Sequence, residues 1–308
     1  MRYDDFRRSD DIEDRRDDGG GGGMGGGFGI PMGGGGLGIG TIIVLGLLGY
    51  AFGIDPRILI GGAEILTGGG SQAPSYQTDR TPAKTGAPKD EMGSMISGIL
   101  GEIDDRWSEI FQASGQTYKG PRIVLFRNST NGGRCGMAQS AMGPFYCPPD
   151  KQIFLDTSFF REVETKFRGC SGNACKFTTA YIIAHEAGHH IQNLLGILPR
   201  VTRLQQQAGS KAEANALQVK VELQADCLSG VWVNREEKKR PGFLEAGDID
   251  AALTTATAIG DDTLQRQATG RVVPDSFTHG SAAQRKQWFM TGYQQGTLKA
   301  CDTFSAGG

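Results

Sequence analysis

The chain has 308 residues, in which 32 lysines and arginines nearly balance 34 aspartates and glutamates, for a formal net charge of −2 at pH 7. This balance argues against a strongly basic nucleic-acid-binding protein, so no nucleic-acid partner is predicted. Glycine is unusually frequent at 48 residues. Because the excess is concentrated near the N-terminus, a collagen-like or uniformly low-complexity chain is excluded.

The first part of the chain is highly charged and then rich in glycine. Residues 1–18 combine five arginines with eight acidic residues and few large apolar side chains. Such a segment has too little apolar surface to offset the entropy that folding costs. Residues 19–36 continue as a glycine-rich spacer, and glycine-rich chains are flexible. We therefore expect residues 1–36 to be disordered.

Residues 37–54 form an uncharged run of 18 residues, LGIGTIIVLGLLGYAFGI. As a helix this run would be about 27 Å long, enough to cross a thin bilayer. A buried soluble helix is the alternative, but the five glycines disfavour it. A cleaved signal peptide would require a much shorter leader. The run predicts an uncleaved transmembrane helix, with the lipid bilayer as a partner.

The distribution of positive charge predicts the orientation of this helix and the division of the chain. Five arginines precede the run, whereas Arg57 alone follows it closely. Positive residues favour the cytoplasmic side, so we expect a single-pass inner-membrane protein with a cytoplasmic N-terminus. Residues 55–90 predict a flexible linker. Residues 91–302 then form an extracytoplasmic (periplasmic) domain, and residues 303–308 a tail.

Hydrophobic periodicity in this domain predicts a mostly helical α+β fold with a small sheet. Apolar residues at helical spacing predict an amphipathic helix over residues 92–111. Short apolar runs predict strands, the last two as a hairpin, at residues 122–126, 144–147 and 152–156. Further helices are predicted over residues 177–197, 211–237, 248–260 and 282–292.

The sequence His-Glu-Ala-Gly-His at residues 185–189 carries the strongest chemical signal. His185 and His189 are four residues apart in an apolar helix, so both imidazoles project from one face and can bind one Zn²⁺ ion. Glu186 is placed to take a proton from a water molecule that zinc activates. Because the chain has four histidines in all, a chance match to this pattern is improbable.

A catalytic zinc site needs a third protein ligand and leaves one position for water. The extended HExxHxxGxxH motif is absent, because Gln192 and Leu195 occupy its glycine and last histidine positions. Downstream, Glu222 and Asp226 are four apart on an apolar helix, where acids are costly unless they bind a metal or a partner. Glu222 is the predicted third ligand, and Asp226 the predicted acceptor of a ligand histidine N–H. The alternative is that both acids lie on a solvated helix face.

Two further histidines are candidates for other roles. His279 precedes a predicted helix, and it could donate a hydrogen bond to the oxyanion of a tetrahedral intermediate or lie at the rim of the site. A capping or surface role is the alternative for this residue. His190 points about 100° away from His189 around the helix. We expect His190 to pack or to hydrogen-bond rather than to bind the metal.

Four sequence blocks resemble the neutral zinc metallopeptidase family of bacterial membrane proteins. They are AHEAGHHIQNLLG (184–196), VELQADCLSGVW (221–232), SFTHGSAAQRKQWF (276–289) and RCG…PFYCPPDKQIFLD (134–156). The resemblance extends over residues 1–302. It implies a zincin-like fold with an HExxH-plus-glutamate site, and it identifies no substrate.

The six cysteines are too few for a disulfide-dominated scaffold but permit three bridges. An extracytoplasmic domain would favour their oxidation. Free buried thiols are the alternative, and six cysteines allow 15 connectivities. Proximity along the chain favours the pairs Cys135–Cys147, Cys170–Cys175 and Cys227–Cys301.

The predicted function is that of a membrane-anchored zinc peptidase in which Glu186 is the general base. Its polypeptide substrate would lie extended along a sheet edge near residues 152–156. One alternative is a catalytically silent, zinc-containing factor for binding or assembly in the cell envelope. Another is a metal-dependent hydrolase of non-peptide bonds, which the ligands alone do not distinguish from a peptidase.

Overall fold

A computed structural model of the protein describes residues 1–17, 84–160 and 174–305. The helices are α1 (Glu91–Ala113), α2 (Ala174–Leu194), α3 (Ile197–Gln207), α4 (Lys211–Lys239), α5 (Asp248–Ala258), α6 (Asp261–Thr269) and α7 (Ala282–Gln295). The strands are β1 (Ile12–Asp14), β2 (Lys84–Thr85), β3 (Arg122–Phe126), β4 (Ser129–Asn131), β5 (Met137–Gln139), β6 (Phe145–Cys147) and β7 (Gln152–Asp156). The α+β class, mostly helical with a small sheet, is confirmed.

A five-stranded sheet in the order β2-β1-β3-β7-β6 forms one layer of the domain. Strands β1, β3 and β7 are parallel, whereas β2 and β6 are antiparallel to their neighbours. Alternate residues of β3 face opposite sides, as the pleat of a strand requires. Ile123 and Leu125 join the main core with α1 and α2, and Val124 and Phe126 join a smaller cluster around Cys147.

The sheet corrects the predicted position of the substrate edge. The predicted hairpin forms, with Tyr146 of β6 opposite Ile153 of β7. However, β7 lies between β3 and β6 and is paired on both sides. Its main-chain groups are therefore already hydrogen-bonded, and the prediction of an edge near residues 152–156 is wrong. The edge on this side of the sheet is β6.

The long helix α4 packs closely against α2 and α7, and glycines permit this approach. A Cβ atom on Gly230 of α4 would overlap the backbone of α7 at Phe289. A Cβ atom on Gly292 of α7 would overlap the carbonyl of Cys227. On the other side, Gly188 of α2 faces the backbone of Ala225. The histidine face of α2 is thereby brought against the acidic positions of α4.

Residues 1–17 are part of the folded domain, which corrects the prediction that they are disordered. Ile12 is fully buried, and β1 pairs in parallel with β3. Phe6 is also buried, and Gly101 of α1 leaves room for the carbonyl of Arg7, which a side chain there would overlap. The charges that suggested disorder are paired, for example Arg7 with Asp105. The segment gains its stability by packing on α1 and the sheet, and its own composition does not reveal that surface.

The position of β1 also bears on the predicted membrane topology. The predicted transmembrane helix at residues 37–54 lies outside the described residues. Among the described helices, none combines the length and the apolar composition that crossing a membrane requires. Asp14 of β1 pairs with Lys84 of β2 in the same sheet as β3. The predicted membrane topology and localisation stay predictions.

Two of the three predicted disulfides are present. Cys135–Cys147 ties the segment after β4 to β6, and Cys227–Cys301 ties α4 to the C-terminal turn Leu298–Cys301. The third predicted pair includes Cys170, which lies outside the described residues.

A buried cluster of charges joins α1 to the end of α4. Glu102 and Glu236 are completely buried, and Arg106 is nearly so. Arg240 contacts both glutamates, while neither carboxylate oxygen of Glu236 has a hydrogen bond among the described residues. Burial, together with the charge of Glu102, raises the pKa of Glu236 to about 7 against the opposing effect of Arg106.

We expect Glu236→Gln to change how the stability of the protein depends on pH. The pKa of Glu236 is higher in the folded protein than in the unfolded chain, so its stabilising contribution is complete below about pH 4.5 and is lost as pH rises towards about 7. Glutamine does not titrate, so the variant cannot lose stability in this way. Urea unfolding at pH 5 and pH 8 should therefore show a smaller loss of unfolding free energy in the variant than in the wild type. Equal losses in both proteins would contradict the assignment.

Candidate metal and active site

Helix α2 places the HExxH residues at the wall of a cleft. Its buried side includes Ile183, Ala187 and Ile191, each without exposed surface. This apolar stripe fixes the rotation of the helix against the core. His185 and His189 lie on another face, with their ring centroids 4.9 Å apart.

The structure brings the three predicted ligands together. Nε2 of His185 lies 3.2 Å from Oε2 of Glu222, and Nε2 of His189 lies 3.4 Å from the same oxygen. These separations fit tetrahedral zinc, in which bonds of about 2.0–2.1 Å put neighbouring ligand atoms about 3.3 Å apart. Among the described residues, these three form the one group of histidine, cysteine and acidic side chains with the geometry of a metal site.

Glu222 is held as a charged carboxylate beside the two histidines. Its other oxygen, Oε1, accepts a hydrogen bond of 2.8 Å from Nε2 of Gln218, one helical turn earlier on α4. Burial opposes ionisation, but the charge of His189 and hydrogen bonds from His185 and His189 hold the pKa of Glu222 well below its usual range. A buried carboxylate that stays charged beside two imidazoles suits a divalent cation.

Asp226 lies directly behind His185, where its carboxylate is completely buried. Oδ1 is 2.9 Å from Nδ1 of His185 and accepts a 2.6 Å hydrogen bond from the hydroxyl of Tyr181. Arg285 donates to both oxygens, at 2.9 and 3.0 Å. Burial alone would raise the pKa of Asp226, but Arg285 and His185 hold it far below its usual range. The carboxylate can therefore orient His185 so that Nε2 faces the other candidate ligands.

The residues of this site have several strong charge interactions with one another. Burial lowers the pKa of His185, but the charge of Asp226 and hydrogen bonds to Asp226 and Glu222 raise it to about 10. Burial raises the pKa of Glu186 above its usual value, although the two histidines oppose this effect. Protons therefore compete with a metal ion for His185, and Glu186 is a stronger base than an exposed glutamate.

A cleft of about 490 Å³ opens over these residues, and Glu186 lies in its wall. The edge strand β6 contributes Phe145 and Tyr146 to the cleft. Apolar side chains line much of the remainder, among them Ile182, Leu198, Val201 and Leu264.

His279 also lines this cleft. Its Nδ1 lies 3.0 Å from the hydroxyl of Thr278 and 3.3 Å from Oδ1 of Asp261. The backbone N–H groups of Thr278, His279 and Gly280 donate to Oδ2 of Asp261. Burial lowers the pKa of His279, but the hydrogen bond that it donates to Asp261 and the charge of Glu222 raise it above its usual value. Asp261 thus fixes the imidazole at the edge of the cleft.

His190 is buried away from the candidate metal ligands. Its Nδ1 lies 2.9 Å from the hydroxyl of Tyr146, and its Nε2 lies 2.8 Å from the carbonyl of Lys119. Burial lowers the pKa of His190 to about 4. As expected, it packs and hydrogen-bonds, and it joins α2 to β6.

Several residues of this site were missed by sequence reasoning. Gln192 contacts His189, and its i+3 position on the same helix was a usable signal. Gln218 likewise contacts Glu222 from one turn earlier on the same helix. Tyr181 carried a comparable signal, because it lies one turn before His185 on α2. Asp261 and Arg285 carried none, because they reach the site from α6 and α7.

Comparisons with known proteins agree with these observations. The model of the family described as "Putative neutral zinc metallopeptidase" matches residues 1–304. The uncharacterized protein YpfJ of Escherichia coli (strain K12) is 45% identical over 305 residues, 99% of each chain. The uncharacterized protein Rv2575 of Mycobacterium tuberculosis (strain H37Rv) is 41% identical over 243 residues, 76% of this chain and 78% of the relative. No solved structure matches the chain.

Proposed function

The chain belongs to the neutral zinc metallopeptidase family, and on that premise we propose that it is a zinc-dependent hydrolase of peptide bonds. The observation that carries the proposal is the convergence of His185, His189 and Glu222 beside Glu186 in one cleft. A purely structural zinc site needs no buried carboxylate base beside its ligands. This position of Glu186 favours a catalytic site over a catalytically silent zinc-containing factor.

His185, His189 and Glu222 would hold the zinc ion. When bound, zinc polarises the scissile carbonyl group and lowers the pKa of water. Asp226 keeps His185 oriented by accepting its Nδ1–H, so that Nε2 is available as a ligand atom. Gln218 holds the second oxygen of Glu222 and leaves Oε2 facing the histidines.

Glu186 and His279 supply the remaining steps. Glu186 takes the proton of the attacking water and transfers it to the nitrogen of the leaving amine. Its raised pKa suits the first step, because a stronger base accepts the proton more readily. His279, fixed by Asp261, donates a hydrogen bond to the oxygen that becomes negative as the carbonyl carbon turns tetrahedral.

The substrate is proposed to be an extended polypeptide lying along β6. This strand is the edge of the sheet beside the cleft, and an edge can pair with an added strand through main-chain hydrogen bonds. Such pairing binds any extended sequence and places one peptide bond next to the metal site. Folded proteins do not offer this geometry, so unfolded chains are the expected substrates.

Membrane association through residues 37–54 is a separate part of the proposal. It is supported by their uncharged, apolar composition. Because β1 pairs with β2 and β3, we propose that residues 1–17 and the domain that contains these strands lie on the same side of the membrane.

Removal and return of zinc test the function directly. We expect the purified protein to bind one zinc ion per chain and to degrade unfolded casein. A chelator should abolish hydrolysis, and stoichiometric zinc should restore it, because the ligands and not the fold alone create the reactive site. The measurements are metal content by mass spectrometry and peptide release. A protein that holds zinc but releases no peptides would favour the alternative of a silent envelope factor.

A further inference from the structure

Two glutamine side chains connect the candidate ligand His189 to the C-terminal turn. Nδ1 of His189 lies 2.9 Å from Oε1 of Gln192. Nε2 of Gln192 donates to the carbonyl of Val221 at 2.7 Å and to Oε1 of Gln224 at 3.0 Å. Nε2 of Gln224 donates in turn to the carbonyl of Cys301 at 2.8 Å. Gln192 is fully buried and Gln224 nearly so, so water competes little for these bonds.

The direction of both amide groups follows from their backbone partners. A backbone carbonyl can only accept a hydrogen bond. The NH₂ group of Gln224 must therefore face Cys301, and the NH₂ group of Gln192 must face Val221. Because the NH₂ group of Gln192 donates to Val221, its carbonyl oxygen faces His189. Nδ1 of His189 must then carry a proton. In the neutral imidazole, which is the form that binds a metal, the lone pair therefore lies on Nε2, on the side of Glu222.

The far end of this chain of hydrogen bonds is itself fixed. Cys301 forms a disulfide with Cys227 on α4, so the carbonyl that orients Gln224 is attached to the helix that carries the third ligand. Val221, the other anchor, immediately precedes Glu222. Gln192 therefore links the side chain of His189 to the backbone next to Glu222.

We propose that Gln192 is the positioning residue of His189 and that Gln224, anchored on the Cys301 carbonyl, fixes its amide. The two amides select the Nδ1–H tautomer of His189 and hold its ring, as Asp226 does for His185. The inference rests on the proposed function only in taking His189 as a zinc ligand. A neutral amide performs the task here, so His189 is oriented without adding a second buried anion to the site.

Gln192→Met tests this inference, because methionine keeps the length and volume of the side chain but makes none of the three hydrogen bonds. We expect zinc to bind about 10–100-fold more weakly, measured by competition with a chromogenic chelator, since loss of a ligand's hydrogen-bonding partner has effects of this size. In zinc-loaded protein with ¹⁵N-labelled histidine, the Nδ1–H signal of His189 should weaken or shift, while that of His185 stays unchanged. The matched control is Gln287→Met, at an exposed position on α7.

Wild-type zinc affinity and an unchanged His189 signal in Gln192→Met would overturn the inference. Should that variant fail to fold, Gln224→Met decides the matter, because Gln192 then keeps its bond to Val221. We expect several-fold weaker zinc binding in Gln224→Met, and unchanged binding would again overturn the inference. The proposed function is judged separately, since a wild-type protein that binds zinc but cleaves no peptide would count against catalysis alone.

Discussion

Replacing Glu186 by glutamine should reduce peptide hydrolysis by about 10³-fold, within the range that a general base contributes, while one zinc ion stays bound. Glutamine has nearly the same shape as glutamate but cannot take the proton from water. Glu186 is not one of the three ligands that converge in the structure, so its loss should leave metal affinity intact. The measurements are zinc content and the initial rate of cleavage of an unfolded peptide.

The control for this variant is Glu109→Gln, the same substitution at an exposed position on α1. We expect it to keep both zinc and the wild-type rate. A Glu186→Gln protein with bound zinc and full hydrolysis would show that another group acts as the base. Loss of both zinc and activity would instead show that Glu186 supports the metal site.

Replacing Asp226 by alanine should have the largest effect on folding. The substitution leaves Arg285, which is 3% exposed, without either of its carboxylate hydrogen bonds. Removing one partner of a buried ion pair costs about 3–5 kcal/mol, because the other charge stays buried and unpaired. His185 also loses the acceptor of its Nδ1–H, so zinc affinity should fall about 10–100-fold. Chemical unfolding of the metal-free protein and chelator competition measure the two effects.

The double variant Asp226→Ala/Arg285→Met separates these two roles of Asp226. It removes both buried charges, so unfolding free energy should recover in part. Zinc affinity should stay low, because His185 still lacks its acceptor. Asp275→Ala, at an exposed aspartate, is the control and should change neither quantity. Recovery of zinc affinity in the double variant would show that Asp226 acts through Arg285 and not through His185.

The N-terminal segment shows how composition can mislead. Residues 1–17 were predicted to be disordered because their own apolar surface is small, yet Ile12 and Phe6 are buried against partners far along the chain. Local composition reports what a segment can bury by itself. It does not report a groove such as the one that Gly101 leaves for the backbone of Arg7.

The sequence by itself determined the periodic helices, the hairpin, and the residues capable of binding zinc, because these depend on spacing within one element. His185 and His189 share a helix face through their four-residue separation alone. The pairing of β7 on both sides, the incorporation of β1, and the arrival of Arg285 at Asp226 were decided only by the tertiary structure. Each of these contacts joins residues from different elements, and their distance in space is set by packing of the whole domain, which no local pattern encodes.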